Sequence, residues 1–264
     1  MKSSMIALTF SAVTFTGLAL ASTGAQAQNV AALMDGNMIA IVDVKAAKVG
    51  TPMKIAGEGK LVGIDVRPAD GMLYGLFADG TVVTIDPMSG KATKKSTLDT
   101  MLPAGSMATV DFNPVADRLR VIGSDGTNLR ANVDDGKVTT DGALKYAEGD
   151  MHKGKASKVV AGAYTNSMKG AKETALYDID ATAGTLVKQA PPNDGVLNSV
   201  GKLGVTGDSF AFDIVASAPG TNAAWLMAGD TLYSVDLATG KATAAAKIAG
   251  VSGKVHDIAI LPAM

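Results

Sequence analysis

Aspartates at a recurring position are the residues of this chain whose type and spacing offer chemistry. Asp65 stands in GIDVRP and Asp111 in TVDFNP, 46 residues further on. Asp150, Asp213 and Asp257 fall in or beside similar runs. Carboxylates brought to one height of a ring would present the oxygen ligands that a hard cation such as Ca²⁺ takes. Their mutual repulsion would also raise some of their pKa values. A structural role fits the same spacing: each carboxylate would accept backbone N–H groups from a neighbouring strand or turn. The candidate metal ligands are thus Asp65, Asp111, Asp150, Asp213 and Asp257, with Ca²⁺ the candidate ion.

A second group is cationic. Arg118 and Arg120 share a face of one predicted strand, and Arg130 lies on its hairpin partner. Converging guanidiniums bind carboxylates or phosphates, or pair internally, with Asp117, Asp125 and Asp134 the nearest acids in sequence. His152 and His256, the two histidines, stand near Asp150 and Asp257 and are expected at one end of the ring's channel, where a metal would use them. Asp43, Asp86, Asn132, Asp180 and Asp236 each follow a predicted third strand and read as turn-capping side chains. There is no cysteine, no G-x-S-x-G elbow, no H-E-x-x-H helix and no Walker loop, so no nucleophile or zinc-hydrolase motif stands out.

The elements that must position these residues repeat. Gly63 to Thr93 recurs as Thr109 to Thr139, matching Pro68 with Pro114, Leu73 with Leu119 and Asp79-Gly80 with Asp125-Gly126. A period of this length with alternating apolar positions signals a radially repeated β fold. Further units follow, one holding Asp150, Lys158 to Tyr164, Ala175 to Ile179 and Thr185 to Gln189, the other running from Phe210 to Ile248. Lys254 to Leu261 reads as a lone first strand, which is what the N-terminal unit lacks. The reading is all-β: a five-bladed β-propeller closed by pairing of its N- and C-terminal strands, with minimal helix. The alternative is six blades, with an irregular one inside Gln189 to Gly207.

Residues 1–27 read as a secretory signal: Lys2, an apolar core from Met5 to Leu20, and Ala25-Gln26-Ala27 as cleavage site. A single propeller domain over 28–264 is expected, in the periplasm or secreted. The formal net charge of −1 argues against nucleic acid, and no later stretch has membrane-spanning length. A monomer is expected, with partner or ligand open.

The stretches GIDVRP, LYGL, VDFNPVADRLRV, NLR, AYTN, LYDID and QAPPNDG resemble the DUF4394 family of exported bacterial proteins, over essentially the whole mature chain. The resemblance implies a propeller-like repeat domain and an extracytoplasmic location, and it carries no catalytic residues. Gln189, Asn193 and Asp194, in the loop beside the irregular linker, are candidate specificity residues. Three function classes follow: a non-catalytic exported propeller that binds a partner protein, small ligand or cation; a Ca²⁺-dependent hydrolase of lactonase type; or a structural envelope component.

Overall fold

The computed structural model describes residues 29–262; the expected secretory signal lies outside them. Five small sheets form the structure. Blade 1 has Val255–Ile260 innermost, then Asn29–Met34 and Met38–Asp43, with Lys48–Val49 and Met53–Lys54 both pairing with the last. Blade 2 comprises Leu61–Val66, Leu73–Phe77, Thr81–Ile85 and Ala92–Thr97. Blade 3 comprises Ala108–Asn113, Arg118–Gly123, Asn128–Ala131 and Val138–Thr140. Blade 5 comprises Ala211–Ala218, Thr221–Ala228, Thr231–Val235 and Ala242–Lys247. Each inner strand touches the inner strand of the next blade, and the circuit closes from blade 5 to blade 1. This is the five-bladed ring expected from the repeat, sealed by the terminal strands.

Blade 4 departs from the sequence reading. Its inner strand is Val159–Tyr164, followed by Leu176–Asp180, Thr185–Gln189 and Val196–Lys202, with Lys145–Tyr146 parallel to the last. The stretch expected to be linker, or a hidden sixth blade, is therefore the fourth strand of blade 4. Asn198, Ser199 and Gly201 interrupt its apolar alternation, which hid it. Asp150 is not on an inner strand. It lies in the turn after Lys145–Tyr146, where its carboxylate accepts from Ser199 N–H (2.6 Å), Ser199 Oγ and His152 N–H.

Turn chemistry sets the strand spacing. Gly80 (φ 88°) and Gly126 (φ 91°) take the left-handed conformation that hairpin turns need, and Asp79 and Asp125 cap those turns through their side chains. Asp43, Asp86, Asn132, Asp180 and Asp236 each accept a backbone N–H two or three residues on, as expected for turn caps.

The core is divided into five apolar clusters, one in each seam between neighbouring blades. Each fully buried Leu, Ile or Phe there contributes about 1.5–3 kcal/mol, so ring closure is driven mainly by seam packing. The seam between blades 3 and 4 is the exception, since Ile122 is blade 3's one fully buried apolar contribution to it. In blade 2 the register positions of Arg120 and Asn128 hold Tyr74 and Val82, which pack in the 2–3 seam. Blade 3 thus presents polar groups where its predecessor presents apolar ones.

Candidate functional site

The inner-strand aspartates clasp blade to blade. Asp257 of blade 1 accepts from Ile64 N–H of blade 2 (2.9 Å). Asp65 of blade 2 accepts from Phe112 N–H of blade 3 (2.6 Å). Asp111 of blade 3 accepts from Tyr164 N–H of blade 4 (2.9 Å), and Asp213 of blade 5 from Ile260 N–H of blade 1 (2.6 Å). Asp65, Asp213 and Asp257 also bind the N–H of their own following residue. Each inner strand is the edge of its sheet, and each carboxylate thereby satisfies strand donors that have no ladder partner on that side. Blade 4 carries no such aspartate: Ala163, which precedes Tyr164 as Asp111 precedes Phe112, stands at that position and packs in the 4–5 seam. The 4–5 seam is joined instead by Asn166, bonded to Gly220 and Asn222, and by Ser167, bonded to Ile214 and Ala216.

Asp65, Asp111 and Asp213 converge: each offers a carboxylate oxygen, and these lie within 4.8 Å of one another. All three are buried, and among the described residues none has an ion-pair partner. Burial, followed by the charges of Asp213 and Asp257, pushes Asp65 well above the usual carboxylate range. Burial with Asp65 and Asp213 does the same to Asp111, and burial raises Asp213 to about 6. Two oxygens 4.8 Å apart can share an ion at Ca²⁺–oxygen distances of about 2.4 Å. Among the described residues one oxygen of Asp111 accepts no hydrogen bond. Asp257 stands outside the group, though burial raises it too, and Asp150 is remote from it. A cavity of about 230 Å³, bounded by Asp65, Ser167, Asp213 and Pro262, opens beside the triad at the C-terminal ends of the inner strands.

The arginines resolve differently from the sequence reading. Arg120 and Arg130 both bind Asp141 (2.6 Å each), and none of the three nearer acids is their partner. Arg120 is fully buried in the 3–4 seam and also donates to Tyr164 Oη (3.0 Å), Asn128 Oδ1 (2.9 Å) and Asn193 Oδ1 (2.8 Å). Among the described residues Arg118 bonds only the carbonyls of Ala116 and Asp117 and does not join them. Asp117 and Asp134 pair with Arg67 of blade 2, a residue the sequence reading passed over. Gln189 is buried and donates to Pro192 O (2.6 Å), while Asp194 is exposed. With four partners already, Arg120 has little capacity left for an external anion.

The family model described as Domain of unknown function (DUF4394) matches residues 37–259. The chain belongs to the DUF4394 family. No curated protein matches it. A structural genomics protein of unknown function from Bacteroides thetaiotaomicron VPI-5482 is similar in fold at 15% identity and TM-score 0.50, over 88% of this chain and 70% of that one. A protein of unknown function from Bacteroides caccae aligns at 14% identity and TM-score 0.46, over 83% and 73%. An auxiliary nutrient binding protein from Bacteroides thetaiotaomicron VPI-5482 aligns at 15% and 0.46, over 71% and 50%.

In this DUF4394 propeller the stretches that carried the resemblance meet in space. DFNPVADRLR supplies Asp111 and Arg120, AYTN supplies Tyr164 and Asn166, and PPNDG supplies Asn193. Together they build the 3–4 seam and its two flanking clasps. Within that seam Asp178 was missed by sequence reasoning. It faces Gly162 across the ladder, is fully buried, and has no hydrogen bond to either oxygen among the described residues. A methyl group on Gly162 would stand 2.2 Å from Asp178 Oδ1, so only glycine leaves room for this carboxyl. Burial pushes its pKa to about 8, with the Arg120 charge pulling the other way. The two histidines are not neighbours: His256 faces the channel and bonds Asp35 (2.7 Å), whereas His152 packs on the Tyr146 ring.

Proposed function

We propose that this protein is an exported, non-catalytic binding propeller, periplasmic or secreted, whose channel holds a Ca²⁺ ion between Asp65, Asp111 and Asp213. The observation that carries the reading is three buried carboxylates within 4.8 Å with no cationic side chain paired to them. Buried charge of one sign needs either protons or a counter-ion, and oxygen-only ligands suit a hard cation. The ion would tie blades 2, 3 and 5 together across the axis, where their backbone clasps already meet.

Isothermal titration of chelator-stripped protein with Ca²⁺ tests this, with melting temperature followed in parallel. One saturable equivalent is expected. At a hundredfold excess over Kd it contributes about 2.7 kcal/mol, or roughly 5–10 °C in a chain of this size. Affinity should rise from pH 5 to pH 8. The three pKa values are raised above their unfolded values, so the metal-free ring is most stable when these groups are protonated and loses that stability as pH rises through 6 and beyond. Asp111→Asn should abolish binding, because its amide oxygen can still accept from Tyr164 N–H while the charge is gone. A flat titration with an unchanged melt would sink the calcium reading. A hydrolase of lactonase type would need the same ion, and the 230 Å³ cavity beside Asp65 and Asp213 is where its substrate would arrive. Turnover of lactones by the Ca²⁺-loaded protein, lost in Asp111→Asn, would favour that second reading.

A further inference from the structure

At the other end of the axis the starts of the five inner strands surround a second cavity, of about 480 Å³. The residue immediately before each inner strand lines it: Lys254 in blade 1, Lys60 in blade 2, Met107 in blade 3, Lys158 in blade 4 and Phe210 in blade 5. Each is the residue that leads the chain into its inner strand. In ring order they place two adjacent lysines on one side and the third across the mouth, with an apolar residue on either side of Lys158. Among the described residues none of the three lysines is in a salt bridge. Asp208 is the one carboxylate in the lining, and His256 is held there by Asp35, which also accepts from Lys254 N–H. Leu61, Val62 and Val160 line the cavity as well.

We infer that this mouth binds a small organic dianion, an apolar body carrying two separated anionic oxygen groups or one doubly charged group. Lys60 and Lys254 take one anionic end and Lys158 the other, while Met107 and Phe210 cover the apolar middle. The lysine stems add apolar contact beneath their charged heads. A closed ring of low-dielectric walls strengthens the field of like charges at its opening. A ligand with a single charge would leave at least one ammonium unmatched, and an uncharged one would gain only the apolar contacts. The inference uses residues distinct from the carboxylate triad and stands whether or not the triad holds Ca²⁺.

The probes are adipate and phenyl phosphate, which separate a dicarboxylate from a phosphomonoester, with hexanoate and 1,6-hexanediol as weaker-charged and uncharged controls. Calorimetry on chelator-stripped protein should show one equivalent of adipate or phenyl phosphate bound, weakening as salt shortens the Debye length toward about 8 Å. Hexanoate should bind less tightly and hexanediol not measurably. The combined variant Lys60→Gln, Lys158→Gln, Lys254→Gln alters exposed side chains, so its melting temperature should not move while affinity falls about tenfold or more. Asp111→Asn should leave anion binding intact, which separates this site from the triad. The inference is overturned if neither dianion binds below about 10 mM, if the lysine variant binds like the parent, or if hexanediol binds as well as the dianions.

Discussion

Asp178→Asn is expected to stabilise the protein at pH 7 by on the order of 2–4 kcal/mol, an unusual direction for a buried polar substitution. Asp178 titrates near 8 in the fold because burial removes its solvent and no donor replaces it, against about 3.9 in the unfolded chain. At neutral pH the unfolded carboxyl is ionised and must take up a proton to fold. With the folded pKa raised, the group's stabilising contribution is complete below about pH 4 and is lost as pH climbs to about 8, at roughly 1.4 kcal/mol per pH unit. Asparagine cannot titrate, so the parent-minus-variant difference in unfolding free energy should carry that slope. The full gain is reduced by the cost of burying an amide in place of a neutral acid. Urea unfolding at pH 5, 6, 7 and 8 measures it, and parallel profiles for the two proteins would refute the account. The channel triad adds a slope of the same sign, but it is common to both proteins and cancels.

Arg120→Met should act in the opposite direction, costing about 3 kcal/mol or more. Arg120 and Asp141 are almost wholly desolvated, with side-chain exposures of 2% and 5%. Methionine fills much of the volume but strands buried Asn128 and Tyr164 without their donor, and each buried unpaired group costs about 1–3 kcal/mol, whereas exposed Asn193 can turn to water. Arg130 is retained on Asp141 and keeps the loss from being larger. Arg120→Lys should recover little, because one ammonium cannot span a planar fork of four partners. Arg118→Ala serves as the control: its bonds are to carbonyls of its own turn, and the expected change is within about 0.5 kcal/mol. Denaturation midpoints for the three variants decide the matter; equal midpoints for Arg120→Met and Arg118→Ala would show that the seam does not depend on this arginine.

The propeller was legible because its signals are local. Asp-Gly hairpins, Asx-capped turns and alternating strands recur at a regular interval, and each follows from φ preference or from a side chain bonding its own backbone a few residues away. Closure was legible for a similar reason, since a lone first strand at the end matches a missing one at the start. Even the inner-strand aspartates could be listed from their register, with one error. Asp150 lies beside a short strand that mimicked the expected one, while the true inner strand, Val159–Tyr164, places Ala163 at the aspartate position. Alanine there offers no polar group to announce the position.

The seams were decided only by tertiary structure. Asn193 reaches Arg120 across 73 residues, and Arg67 takes two acids from the following blade. Sequence neighbours such as Asp117 and Asp134 look like natural partners for the blade 3 arginines, yet strand direction and blade twist send them elsewhere. Whether a carboxyl finds a donor, a cation or nothing depends on what the next blade brings to its level. That is why Asp65, Asp111 and Asp213 meet at the axis, Asp257 stays apart, and Asp178 is left alone in the core. Residue type and repeat register determined where each group sits on its own blade; the packing of five blades into a closed ring decided which groups meet.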